Sequence, residues 1–257
     1  HHLPQQDRAL RDSLPLFLQG LSVASSASQL QSSCLKQQLR SVITRYLDHF
    51  LPAAPSTGVV ANHPVLVGAC EAAPTTQGAS LRRTILEVLC ERFLQFKSRA
   101  PPPRLSSVLM FLLELLRRNG DTDVSLLTLP LPSLLRCLML VNEPQVRKTS
   151  TDALQLVVER CAAAAGGPCM QMISALRLFV EENEGVYDRQ VYGVLETVAI
   201  LDPTVVEALI PSLSLSLRNA EHKRGLGKNI TLRSAYVKLL GLLGEGGQAE
   251  ITSLEGD

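Results

Sequence analysis

Six basic residues, Arg218, Lys223, Arg224, Lys228, Arg233 and Lys238, fall within 21 positions and are opposed only by Glu221. Cations at that density can neutralise phosphates, with an affinity that falls steeply with salt. They can equally dock an acidic protein surface, or be no more than a solvated loop. With no Trp and 4% aromatic residues there is little to stack bases on. No base-reading side chains accompany the charges. Protein contact is therefore favoured over direct DNA contact. Lys223, Arg224, Lys228 and Asn229, polar, Gly-flanked and ahead of a helix start at Ile230, and Arg233 in that helix's first turn, are the candidate partner-binding residues.

Other chemistry is thin. Gly225-Leu226-Gly227-Lys228 resembles part of a phosphate-cradling loop, but the full spacing is missing and no strand precedes it, so it reads as a connector. His49, His63 and His222 have no His or Cys three or four positions on, so no metal site is predicted. The six cysteines, Cys34, Cys70, Cys90, Cys137, Cys161 and Cys169, form no CxxC pair. They sit mostly at apolar positions of helical patterns, which predicts buried thiols in a reducing compartment. Glu181, Glu182 and Glu184 close a helix and read as a solvated face rather than a carboxylate pair sharing a cleft. No catalytic, metal or cofactor-binding residue is predicted, and the chain does not read as an enzyme.

The elements that must carry these residues are helical. The stretch Arg104–Asn119, RLSSVLMFLLELLRRN, lies between Pro101-Pro102-Pro103 and Gly120. It is apolar nearly all round, which predicts a helix covered on several sides, and it is too short and too charged at its end to cross a bilayer. Gln29–Phe50 repeats Leu35, Leu39, Val42, Ile43, Tyr46, Leu47 and Phe50 at helical spacing. Further helices are predicted over Ala9–Ser22 with a kink at Pro15, from His63 to near Pro74, over Ser80–Lys97, from Leu131 to Val141, and over Glu143–Ala165. Pro168–Glu182, Val186–Leu201, Pro203–Leu217 bent at Pro211, and Ile230–Leu243 follow, with a last turn at Glu250–Leu254. Loops are predicted at Ala53–Asn62, Thr75–Gly78, Asn119–Ser125 and Arg218–Asn229. Asp202 ahead of Pro203 is a natural N-cap. No strand-like alternation of useful length appears.

Val146-Arg147 followed by Ala153-Leu154 resembles the second helix of a HEAT repeat. Val146 is predicted to face the core and Arg147 to reach a carboxylate or the carbonyl end of an adjoining turn. Roughly ten helices paired in sequence order predict an all-α, HEAT/armadillo-like α-solenoid, a single helical-repeat domain over 1–257. A compact helical bundle is the alternative. Hydrophobic residues at 46% against 19% charged ensure folding, and a net charge of +1 gives no global attraction to nucleic acid or membrane.

Five segments carry a family resemblance. They are Leu14-Pro15-Leu16-Phe17-Leu18-Gln19-Gly20; Ser106 behind Pro101-Pro102-Pro103-Arg104-Leu105; Asn142-Glu143-Pro144-Gln145-Val146; Gln190-Val191-Tyr192 with Leu195-Glu196-Thr197-Val198-Ala199; and Gly225-Leu226-Gly227-Lys228-Asn229-Ile230. In this order they resemble the carboxy-terminal part of the methyl methanesulfonate-sensitivity protein 22-like family. The resemblance implies a nuclear, chromatin-associated scaffold without enzymatic activity. It implies pairing with the tonsoku-like protein, which reads newly deposited histones, so that histones are met only through that partner. It also implies a role at stalled or broken replication forks, promoting loading of the strand-exchange recombinase for homologous recombination. Members are far longer, so the chain is expected to be a carboxy-terminal piece, and the family supplies no residue-level contact motif.

Overall fold

A computed structural model describes residues 13, 16, 17, 20, 29–52, 75–118, 124–165, 170–225 and 227–257. Among them the secondary structure is helical, with one isolated β-bridge, Lys97 with Ala100, and no strand. No described helix is long and apolar enough to cross a membrane. The chain divides into two compact units, His1–Asp121 and Thr122–Asp257. The predicted helix from His63 to near Pro74, most of Ala9–Ser22, the loop at Ala53–Asn62, Cys70 and Cys169 lie outside the described residues.

The first unit is built from α1 (Gln29–Phe50), α2 (Thr75–Val88), a π-helical turn (Leu89–Phe93) and α3 (Leu105–Arg118). In α1 the spacing of Leu39, Ile43, Tyr46 and Leu47 puts all four in the core, facing Leu81, Ile85 and Leu86 of α2 across the contact between the two helices. Helix α3 buries Leu105, Val108, Leu109, Phe111, Leu112, Leu113, Leu115 and Leu116, as its all-round apolarity requires. Each fully buried leucine contributes about 1.5–3 kcal/mol over an exposed one. Ser107, the buried polar group of α3, donates to the Pro52 carbonyl at 2.7 Å.

Two boundaries here differ from the sequence reading. Thr75–Gly78 is the first turn of α2 and not a loop; an isolated glycine weakens a helix by about 1 kcal/mol without ending it. The helix predicted to reach Lys97 stops at the π-helical turn, where the Leu94 N–H donates to Leu89 O at 2.9 Å. Phe93 and Phe96 are both buried there, and the chain then reverses through Ser98 at φ 58°.

The second unit contains α4 (Val124–Leu127), α5 (Leu131–Leu140), α6 (Pro144–Ala165), α7 (Met170–Asn183), α8 (Asp188–Leu201), α9 (Pro203–Glu207), α10 (Ile210–Arg224), α11 (Ile230–Leu240) and α12 (Gly244–Gly256). Helix α8 lies against α5, α6, α7, α9 and α11. Contacts run from α5 to α7, α7 to α10 and α10 to α12, and separately from α6 to α8 and α8 to α11. In α6, Val146, Ala153, Leu154, Val157 and Val158 are buried, and Arg147 Nη1 donates to Leu138 O at 2.9 Å and Val141 O at 3.5 Å. That arginine satisfies carbonyls the end of α5 leaves unpaired.

Three predictions in this unit are corrected. Pro203–Leu217 is two helices, because Pro211 supplies no N–H to bridge the turn at Ala208 and Leu209. Asp202 caps the first of them, accepting from Thr204 N at 3.1 Å and Thr204 Oγ1 at 2.6 Å. Arg218–Arg224 belongs to α10 and is not loop. The last turn at Glu250–Leu254 is part of the 13-residue α12. Three early glycines hid α12, and packing explains two of them. A Cβ on Gly247 would overlap the Leu240 carbonyl, and one on Gly246 would overlap the Glu207 carboxylate. That carboxylate accepts from Gly246 N at 3.2 Å, so α9 caps α12 in space.

Among the described cysteines Cys137 and Cys161 are buried, Cys90 is half-buried and Cys34 is exposed, so burial does not extend to Cys34 as expected. Burial pushes the thiols of Cys90 and Cys137 up to about 12.

Candidate functional site

The basic stretch is organised by a helix-to-helix junction. Helix α10 ends at Gly225 in a left-handed conformation, φ 61°, with its N–H on His222 O at 3.2 Å. Glycine fits there because it has no Cβ to strain. Four residues later Asn229 opens α11, its side chain accepting from Leu232 N at 3.1 Å. His222, Lys223 and Arg224 occupy the last turn of α10, where cations complement the negative end of the helix dipole.

Behind this junction sits an ion-pair clamp. Arg233 Nε donates to Glu221 Oε1 at 2.7 Å and its Nη2 to Oε2 at 2.9 Å, a bidentate fork. The side chains are 14% and 11% exposed. Glu221 Oε1 also accepts from Asn229 N at 2.9 Å, and Arg233 Nη1 donates to Leu254 O at 3.2 Å. Asp257 adds a bond from Arg218 Nη1 at 2.7 Å. The clamp thus joins α10, the connector, α11 and α12. Hydrogen bonding from Arg233, then the Asn229 N–H, holds the Glu221 carboxyl below the usual carboxylate range, against the opposing effect of burial.

The five sequence-selected residues therefore separate into two groups. Lys223, Arg224 and Lys228 are exposed. Lys223 Nζ reaches Glu184 Oε1 at 3.5 Å, a solvated pair, while Arg224 and Lys228 have no ion-pair partner among the described residues. Asn229 and Arg233 hold the frame, as cap and clamp. Lys238 pairs with Glu196 Oε2 at 3.0 Å. Of the acidic cluster, Glu181 and Glu182 are exposed.

Beside the junction runs a groove between α8 and α11. A cavity of about 790 Å³ is lined by Arg189, Gly193, Glu196, Ile230, Ser234 and Lys238 among others. A second of about 320 Å³ lies at the Asp188 end, where Arg189 and Arg224 meet Asn229 and Thr231. Tyr192, which lines the larger cavity, is buried and stacks on the buried Tyr236 at 5.3 Å between centroids and 18° between planes. Burial pushes both phenols above their ordinary value. Sequence reasoning missed this groove. Its signal was the spacing Arg189, Gly193, Glu196, Ile200, steps of four, three and four that place non-core residues on one helical face. Among the described residues no group of three His, Cys, Asp or Glu side chains is placed to hold a metal ion.

A family profile described as "S-phase genomic integrity recombination mediator, C-terminal" matches residues 2–243. The chain belongs to this family. It is 63% identical to Protein MMS22-like of Danio rerio over 266 aligned positions, covering all of this chain and 22% of the relative. It is 43% identical to Protein MMS22-like of Gallus gallus, covering all of this chain and 21% of the relative. With the Homo sapiens protein of the same name it shares 42% identity over 250 positions, 97% of this chain and 20% of that one. The chain thus spans about a fifth of the length of these curated relatives. No solved structure matches it.

Proposed function

We propose that this chain is a non-enzymatic interaction module acting in replication-fork repair and homologous recombination, in the nucleus on chromatin. The helices of its second unit form a HEAT-like row, a reading supported by the two series of contacts, α5–α7–α10–α12 and α6–α8–α11. Its partners are the tonsoku-like protein, the strand-exchange recombinase, or both, with histones met through the first. The contact surface is Lys223, Arg224 and Lys228, framed by Asn229 and Arg233.

The observation that carries this reading is a division of labour within one basic stretch. Arg233 is engaged internally and fixes the backbone, while Arg224 and Lys228 project unpaired from that fixed frame. Cations on a backbone fixed this way present a charge pattern to an acidic partner with little backbone ordering left to do at binding. Membership in a family described as a recombination mediator supports the setting.

The test is a pull-down of the purified tonsoku-like protein and of the recombinase with the chain carrying Lys223→Glu, Arg224→Glu and Lys228→Glu together. Loss of at least one partner with an unchanged thermal melt is expected; retention of every partner overturns the proposal. A shift assay with single- and double-stranded DNA at two salt concentrations checks the alternative, since a DNA-binding module would lose affinity steeply as salt rises.

A further inference from the structure

The groove between α8 and α11 has features that packing within the chain does not require. Gly193 sits in the interior of α8, where glycine is a poor helix residue. A Cβ placed on it meets nothing within 4 Å, so no neighbour in the fold demands its small size. Across the groove Thr231, Ser234 and Ala235 are also small, and Ile230 at the rim is 82% exposed. The cavity between these walls, about 790 Å³, is large enough for several side chains.

Charge is unevenly placed around it. At the Lys238 end the cation is already matched by Glu196 at 3.0 Å. At the other end Arg189 and Arg224 line the smaller cavity, and Lys228 precedes its Asn229 wall. None of the three has an ion-pair partner among the described residues. The acid facing them, Asp188, accepts from Gly185 N at 2.8 Å. The groove is thus small-walled along its length and cationic at one end.

We propose, building on the interaction-module reading, that this groove seats an acidic amphipathic helix of a partner protein. Its carboxylates lie on Arg189, Arg224 and Lys228, and its apolar face over Gly193, Ala235 and Ile230. Small residues let a helix backbone approach closely, and an apolar face laid into a groove is an established recognition mode. Nucleic acid fits less well: Tyr192, the aromatic residue that lines the larger cavity, is buried and stacked on Tyr236, which leaves no platform for bases.

The test is an amide-shift titration of the chain by NMR with a peptide of about 15 residues, long enough to form helix on binding. It carries leucines along one face and glutamates at one end. Shifts centred on Gly193, Thr231, Ser234 and Ala235 are expected. Gly193→Leu, which fills the groove while improving helix propensity, is expected to weaken binding about tenfold or more. Arg224→Glu with Lys228→Glu, and replacement of the peptide glutamates by glutamine, should each do the same. No shift at those amides at millimolar peptide overturns the proposal. So does unaltered binding by Gly193→Leu, even if charge reversal still abolishes it; that pattern removes the groove and leaves the basic contact surface standing. A single-stranded DNA of about 15 nucleotides that moves the same amides more tightly than the peptide also overturns it.

Discussion

Arg104 in the first unit and Arg224 in the second carry the same charge and are used in opposite ways. Arg104 sits at φ 58°, a backbone region unfavourable for a side-chain-bearing residue. It is held there by its own contacts: Nη1 donates to Asp48 O at 2.9 Å and Leu51 O at 3.3 Å, Nη2 to Asp48 Oδ1 at 2.9 Å, and the guanidinium lies 5.9 Å from the Phe93 ring centre. Arg40 nearby binds Glu87 at 3.0 Å and also Glu91. In that region these arginines close helix ends and tie helices together. At the α10–α11 junction Arg233 has taken that role, and Arg224 and Lys228 remain unpaired. At this junction Arg224 and Lys228 are left available to a partner because Arg233 has already satisfied the local carboxylate.

The sharpest way to break this contrast is Glu221→Ala. It leaves Arg233, 14% exposed, without its bidentate acceptor and frees the Asn229 N–H. Losing one member of such a pair should cost about 2–3 kcal/mol, read as a lower urea midpoint. The pH dependence has a fixed sign. The Glu221 carboxyl is depressed in the folded chain, so its stabilisation is present above the unfolded value, roughly 4.3, and is lost as pH falls through the folded value. Unfolding curves taken below about pH 5 should show a steeper acid decline in the parent than in Glu221→Ala; equal slopes would remove the clamp from the account.

Next in size are the arginines that close helix ends. Arg104→Ala and Arg147→Ala each strand carbonyls at a helix terminus and should cost about 1–2 kcal/mol by denaturant unfolding. Arg104→Gly separates the two contributions, since it also relieves the positive φ and should cost less than Arg104→Ala. Asp202→Ala removes the cap on Thr204 and should cost about 1 kcal/mol.

Arg147 was legible in the sequence as a residue that reaches a carboxylate or the carbonyl end of an adjoining turn, and it takes the second, the Leu138 and Val141 carbonyls. Also legible were Asp202, whose cap is a local matter of two residues, and α3, whose apolarity fixes its burial. What stayed hidden depends on residues far apart in the chain. Glu221 and Arg233 are 12 positions apart across a connector, and no periodicity links them. Glycines at the start of α12 look like a helix breaker until Leu240 and Glu207 are seen against them. Asn229 and Arg233 were read as contact residues from charge and polarity alone, and only the packed junction reveals their internal bonds. The helical spacing of Arg189, Gly193 and Glu196 was present, but a polar face gives no sign of whether it meets solvent or a groove.

The smallest expected effect tests the comparison most directly. Reversing Arg224 and Lys228 to glutamate removes charges without a folded-state partner, and surface changes of that kind usually alter stability by no more than about 0.5 kcal/mol. Arg224 at the end of α10 gains slightly from the helix dipole, so the sign should be weakly unfavourable. Thermal melts of the double variant and of Glu221→Ala, run side by side, should therefore differ severalfold in shift although both alter charge within one junction. A double variant as unstable as Glu221→Ala would mean that Arg224 and Lys228 help to hold the fold, and a surface already needed for folding is not one left over for a partner.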